Sequence, residues 1–389
     1  MSRPFSRADK SVLGRWWWTV DRGLLAAVLT LVVCGVMLVM AASPPVAVRI
    51  GLNQYYFIRH HLLVLAPALV LMFGVSLLEP RAIWRLSSGL LVVGIIGMVA
   101  VLFAGIEIKG AQRWLHLPFL SLQPSEFVKP AFAVVAAWFM AKQKDRPEFP
   151  GNHIAAGLFA LVIALLMLEP DFGMSCVIAA IYFTELFLAG FSFWLMGCLG
   201  VAAGAAALGA YFAFPHIHSR IDRFLDPAAG DNYQVTKALD AFREGGFFGM
   251  GPGQGVVKLS LPDAHADFIF AVAGDEMGFI FAAFLALVFA FIVLRGFNRI
   301  MDSDDMFIVL ASGGLIVQFG LQALIHMGSN THMLPAKGMT LPFVSYGGSS
   351  LLAVALTTGM ILALTRRTTR PGTTQGGSIA RGGLALGSL

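Results

Sequence analysis

Long apolar runs, broken at fairly regular intervals by short polar or charged stretches, dominate the chain from about residue 23 onward. A helix needs roughly 20 apolar residues to cross the hydrocarbon core of a bilayer. Runs of that order lie at 23–42, 60–78, 86–105, 124–141, 153–168, 172–190, 193–213, 268–294, 306–327 and 348–365. The pattern predicts an all-α polytopic membrane protein of about ten transmembrane helices, the fourth and fifth short and polar at their outer ends. Residues 1–22 read as an N-terminal tail and 23–367 as one membrane domain. The last stretch, 368–389, has too little apolar surface to fold and reads as a disordered tail.

Charge orients the stack. Short loops rich in Lys and Arg stay in the cytoplasm. The two tails and the even-numbered connections hold 16 of the 27 basic residues, among them Arg81, Arg85, Lys142, Lys144, Arg146, Arg295 and Arg299. Both termini are therefore expected inside, and the large connection 214–267 between the seventh and eighth spans outside. That asymmetry accounts for the pI near 9.2, so the basic balance points to a membrane and not to nucleic acid. The first run has the basic flank of a secretory signal, but its length and the spans that follow favour a retained helix. Trp16, Trp17 and Trp18 fit an interfacial anchor.

The composition agrees, with 57% hydrophobic and 13% charged residues and a mean hydropathy of +0.77. Cys34, Cys176 and Cys198 each fall in an apolar run without a CxxC pair, so neither a disulfide framework nor a zinc site is indicated.

Four segments expected outside are too polar to be mere connections: 110–129, 169–173, 214–267 and 332–350. Asp263 and Asp267 flank His265 in LPDAHADF, just before the eighth span. Arg113, Lys129 and Lys337 bring positive charge from other segments. Glycosyl transfer from a sugar diphosphate needs this set: a carboxylate to take a proton from the attacking hydroxyl, and cations or a metal to hold the departing diphosphate. Lys337 breaks the positive-inside bias. Lys129 lies about a turn inside the fourth span, where an ionisable group costs at least a few kcal/mol. Snorkelling to the headgroups is the plainer reading of an outer-edge lysine, and Glu126 stands at i, i+3 to Lys129 as a structural partner. Glu185 and the Asp275-Glu276 pair are expected to hydrogen-bond between helices. The glycines of 245–255 do not open a βαβ unit, and instead suggest a tight loop or close backbone approach.

Taken together, Gly110, Ala111, Arg113 and Trp114, then Gln123, Pro124, Ser125, Glu126 and Lys129, then Pro170, Asp171 and Gly173, then Pro342 and Ser345 to Ser350 resemble the motifs of the FtsW/RodA/SpoVE family. The match spans roughly 20–368. LPAKGMTLPF, through Lys337 and Thr340, is more similar to the division branch than to the elongation branch. The resemblance implies a peptidoglycan glycosyltransferase that polymerises lipid II at the cytoplasmic (inner) membrane during septal cell-wall synthesis. It makes Asp267 the general base, and Arg113, Trp114, Gln123, Ser125, Glu126, Lys129, Asp263, His265, Lys337, Ser345 and Tyr346 substrate-binding. The diphosphate would be held by Arg113, Lys129, Lys337 or a divalent ion, Mg2+ or Mn2+. Implied partners are lipid II, the nascent glycan, a class B penicillin-binding protein (an FtsI-like transpeptidase) and other divisome membrane proteins. The chain departs from the family pattern at Asp263, where Glu is usual, at Ala266, where Thr is usual, and at Glu169, where Gln is usual.

A lipid II flippase fits the architecture as well, and a scaffold recruiting a transpeptidase is compatible with either. The clustering of carboxylates and cations at one face, without a matching inner constellation or an inverted repeat, favours the enzyme.

Overall fold

Several helices begin where the sequence supplies a cap. The computed structural model describes residues 11–108, 111–116, 121–226, 233–335 and 338–366. Its helices are α1 (Val12–Thr19), α2 (Arg22–Arg49), α3 (Tyr56–Ser76), α4 (Pro80–Ala104), α5 (Pro124–Asp145), α6 (Gly151–Leu168), α7 (Phe172–Leu188), α8 (Phe193–Ala213), α9 (Pro215–Leu225), α10 (Tyr233–Gly245), α11 (Ile269–Ile300), α12 (Met306–Asn330) and α13 (Gly348–Leu364). Asp21 accepts the Gly23 and Leu24 amides, Asp171 that of Met174, Ser192 that of Leu195, and Asp305 that of Phe307. These side chains satisfy amides that the first turn leaves without intrahelical partners. Proline, which has no amide hydrogen to lose, opens α4, α5 and α9.

A helix meets every apolar run expected to span. Seven of them, α2, α3, α4, α6, α8, α11 and α12, are long and apolar enough to cross a membrane; α7 and α13 are shorter. Most of α5 up to Ala141 is buried against neighbouring helices, which is why it tolerates Glu126 and Lys129. It forms the centre of the bundle with α12 and α13, packed against α4, α6 and α7. α8 is the opposite case: Ala210 is its buried residue, while Phe193, Trp194, Val201 and Phe212 are exposed.

One feature corrects the expectation. The fold is mostly and not wholly helical, because β1 (Ile106–Ile108), β2 (Ala111–His116) and β3 (Ser121–Leu122) form a small antiparallel sheet in the order β1-β2-β3. Glu107 pairs with Gln112 and Leu115 with Leu122. Strands this short carry too few alternations to show as a period in the sequence. Among its described residues, the connection 214–267 contains α9, α10 and a 3-10 turn at Val257–Leu259.

The connection also reaches into the bundle. α11 breaks at Gly278, whose φ of 79° and ψ of 178° are open to glycine. There the amides of Phe279 and Ile280 turn to the carbonyls of Gly246 and Phe247. Lys258 pairs with buried Glu276, which also accepts the Gly253 amide at 3.0 Å. Among the described residues, Glu276 therefore bonds the incoming loop and not another spanning helix. The N-terminal residues 1–10 and the tail from 367 onward lie outside the described residues.

Candidate active site

Asp267 stands at the end of a tight turn that delivers the chain into α11. The amides of Ala266 and Asp267 both bond the Asp263 carbonyl at 3.0 Å, and Asp263 itself has a φ of 50°. Aspartate tolerates that left-handed region better than most residues. Three other segments hold the turn by its backbone. Asn330, at the end of α12, donates to the Asp267 carbonyl at 3.0 Å and accepts the Ala271 amide at 3.1 Å. Ser345 Oγ donates to the Ala266 carbonyl at 2.7 Å, and the Tyr346 amide reaches the His265 carbonyl at 2.9 Å. Arg49, at the end of α2, donates to the Leu261 carbonyl at 3.2 Å.

The carboxylate of Asp267 lies against the 338–345 segment. A β-carbon at Gly338 would come within 3.0 Å of its Oδ2. The N-cap position of α11 is Phe268, which makes no side-chain cap bond. His265 is buried between Phe57 and Tyr346, with ring centroids 4.3 and 4.9 Å away. Burial, assisted by Arg49 and His61, lowers its pKa to about 4 despite Asp263 nearby. His265 is accordingly neutral at physiological pH and adds no cation. Tyr346 meets His60 Nδ1 at 3.0 Å, and burial pushes its phenol up to about 12, so it stays a hydroxyl.

The second group gathers at the start of α5. Gln123 occupies the N-cap and donates to Ser125 Oγ at 3.2 Å. Lys129, 1% exposed, sits 2.7 Å from Glu126 Oε2, a contact held by charge and not by hydrogen-bond geometry. Its Nζ also donates to Gln322 Oε1 at 3.1 Å. The Gln322 amide donates in turn to the Thr340 carbonyl at 3.1 Å and its hydroxyl at 3.3 Å. The Thr340 hydroxyl reaches Ser350 Oγ. The 338–345 segment therefore has Asp267 on one side and, through Gln322, Lys129 on the other.

Arg113 is engaged elsewhere. From β2 its guanidinium donates to the carbonyls of Glu169 (3.1 Å) and Pro170, and its Nη1 is 3.5 Å from Asp171 Oδ2. The EPDFG turn is thereby fixed to the sheet, while Asp171 caps α7. Trp114, its half-buried neighbour, pairs with Ile106. Glu169 is 1% exposed and its carboxyl oxygens have no hydrogen-bond partner among the described residues. Burial, with Asp171 adding repulsion and Arg113 opposing both, raises its pKa to about 8.

The sequence reading thus falls into three groups: Asp263, His265, Asp267, Ser345 and Tyr346 at one turn; Gln123, Ser125, Glu126 and Lys129 at α5; Arg113 and Trp114 on the sheet. Lys337 and Gly110 lie outside the described residues. Gln322, Asn330 and Thr340 were missed as supports. Their signal was present, because Gln318, Gln322, His326 and Asn330 recur every fourth residue along an apolar helix, and a polar stripe of that spacing faces protein and not lipid. Among the described residues, no three His, Cys, Asp or Glu side chains gather as a metal site. A divalent ion there would need ligands beyond these side chains.

A family model described as "Cell cycle protein", built on FtsW, RodA and SpoVE, matches residues 22–370. The chain belongs to the FtsW/RodA/SpoVE family. One relative in that family, the "Probable peptidoglycan glycosyltransferase FtsW" of Caulobacter vibrioides (strain NA1000 / CB15N), is 45% identical over 371 residues, 95% of this chain and 94% of the relative. The protein of the same description from Tolumonas auensis (strain DSM 9187 / NBRC 110442 / TA 4) is 36% identical over 366 residues, 90% and 94% of the two chains. Among solved structures, a chain from "Structural coordination of polymerization and crosslinking by a peptidoglycan synthase complex" superposes with a TM-score of 0.75 at 24% identity. The alignment covers 90% of this chain and 98% of that one. Thermus thermophilus rod shape determining protein RodA gives 0.67 at 23% identity, covering 90% and 97%. At such identities these two establish that the FtsW/RodA/SpoVE chain shares their fold.

Proposed function

We propose that the chain is a peptidoglycan glycosyltransferase that polymerises lipid II, working at the outer face of the cytoplasmic membrane during septal wall synthesis. Ten spans, with both termini inside, put the Asp267 turn and the 338–345 segment on that face. The observation that carries the reading is the shared 338–345 segment, which touches the Asp267 carboxylate directly and is tied to Lys129 through Gln322.

Asp267 takes the proton of the GlcNAc 4-hydroxyl of incoming lipid II as its oxygen attacks the anomeric carbon of the growing strand. The bond to the diphosphate breaks, and undecaprenyl diphosphate departs with the electron pair. An α-linked donor giving a β-linked polymer requires inversion, for which one base suffices and no covalent enzyme intermediate forms. Buried Lys129 acts through its field on the developing diphosphate charge, which is strong where the surroundings are poorly polarisable. Lys337, three residues before Thr340 in the sequence, supplies a second cation. Arg113, with its donors committed to the 169–171 turn, supports the sheet beside the site. Tails of the polyprenyl lie between spanning helices while the sugars stay in water.

Partners in this reading are the nascent glycan, a class B penicillin-binding protein and further division-site membrane proteins. The reading is tested by giving the purified protein, with and without a transpeptidase of that class, fluorescent lipid II in detergent. Glycan polymer is the expected product. Transbilayer movement of lipid II in vesicles without any polymer would replace the enzyme by a flippase.

A further inference from the structure

Gln322 lies in the middle of α12 and is only 2% exposed. A buried amide is tolerated when its hydrogen bonds are made. Here the two ends of one amide are made to two different segments. Its oxygen accepts from Lys129 Nζ at 3.1 Å, and its nitrogen donates to the Thr340 carbonyl and hydroxyl at 3.1 and 3.3 Å. The orientation of the amide is unambiguous, because an ammonium group can only donate and a backbone carbonyl can only accept.

The far side of this link is stiff. Ser345 Oγ accepts the Leu341 amide at 2.8 Å while donating to the Ala266 carbonyl, and Thr340 is tied to Ser350 on α13. Two residues from Thr340, Gly338 packs against the Asp267 carboxylate. Gln318, one turn away on the same helix, provides an internal contrast. It is equally buried, but its amide donates to Thr357 Oγ1 at 3.2 Å and joins α12 to α13.

We infer that Gln322 is a positioning residue for glycosyl transfer, setting the spacing between the Lys129 ammonium and the segment against which Asp267 is held. The inference rests on the roles given above to Asp267 and Lys129. Gln322 itself touches no substrate. Its amide works as a spacer of fixed length, so that a displacement of either group is transmitted to the other.

The test is steady-state lipid II polymerisation by full-length variants. Gln322→Met, similar in shape but without polar atoms, is expected to lower kcat about a hundredfold, as misplacement by about an ångström does, with KM changed by less than about threefold. Gln318→Met, which removes a buried amide of the same helix that bonds Thr357 and not the 338–345 segment, keeps kcat near wild type. Groups that act as a unit are not additive. The double variant Gln322→Met/Lys129→Met should therefore be no slower than Lys129→Met alone. Wild-type kcat in Gln322→Met, an equal loss in Gln318→Met, or additive losses in the double variant would overturn the inference. If Gln322→Met does not insert, Gln322→Glu keeps an acceptor for Lys129 and removes the donor to Thr340; about a tenfold fall in kcat is expected, and wild-type turnover overturns the inference. An active Asp267→Asn variant sinks the underlying mechanism instead, whereas an inactive one beside a fully active Gln322→Met sinks the inference alone.

Discussion

The two ends of the helical bundle both bury charge, and they hold it differently. α2 and α11 run antiparallel, so Asp21 before α2 meets Arg295 and Arg299 near the end of α11, while Arg49 at the far end of α2 meets Leu261 just ahead of α11. At the arginine end a single carboxylate takes both guanidinium groups and the first amides of its helix. Burial pushes Asp21 up, but these bonds outweigh it and leave its pKa below the ordinary value. That is a saturated clamp between two helix ends. At the Asp267 end the strong bonds are made by backbone: Asn330, Ser345 and Tyr346 all grip carbonyls of residues 265–267. The Asp267 turn is thus held by its main chain, whereas at the other end the Asp21 carboxylate is itself the brace.

The contrast can be broken by substitution. Lys129→Met should reduce polymerisation by at least about a hundredfold, the usual effect of deleting a preorganised charge at a reacting centre. It also strands Glu126, so the companion Glu126→Gln/Lys129→Met variant should regain stability without regaining turnover. Recovery of both would make Lys129 a brace like Asp21. At the other end, Asp21→Asn should lower stability by about 1 to 3 kcal/mol, discounted for the partly exposed arginines, and leave turnover intact below the melting transition. Thermal unfolding together with an activity assay at low temperature separates the two effects.

The smallest effect expected is at Glu169. An acid whose folded pKa of about 8 exceeds its unfolded value binds its proton more tightly when folded. Its stabilising contribution is then complete at acidic pH below the unfolded pKa and is lost as pH rises through about 8. Glu169→Gln, which resembles the protonated acid permanently, should match the wild-type melting temperature at acidic pH and exceed it near pH 8. Equal melting curves across that window would mean that Glu169 is solvated.

Much of this architecture is legible in the residues, for physical reasons that also mark where legibility stops. Apolar runs near bilayer length demand helices, and Asp21, Asp171, Ser192 and Asp305 announce their starts. The sheet at 106–122 escapes because strands of two to six residues leave no periodic trace. Asp267 and Lys129 stand out as candidates because charge beside or inside an apolar run is expensive. Arg113 illustrates the limit: nothing in its sequence neighbourhood announces that its guanidinium meets the carbonyls of Glu169 and Pro170. Pairing between distant segments, as between Lys258 and Glu276, has no local signature at all.

The central claim is that the Asp267 carboxylate accepts the proton from the attacking hydroxyl. Asp267→Asn is nearly isosteric, and asparagine serves a helix N-terminus about as well as aspartate does. A positioned base contributes about 10² to 10⁴ in rate. Polymerisation of fluorescent lipid II by purified Asp267→Asn, with its melting temperature measured alongside, should therefore fall by at least a hundredfold in a folded protein. Polymer formed at near the wild-type rate would contradict the account.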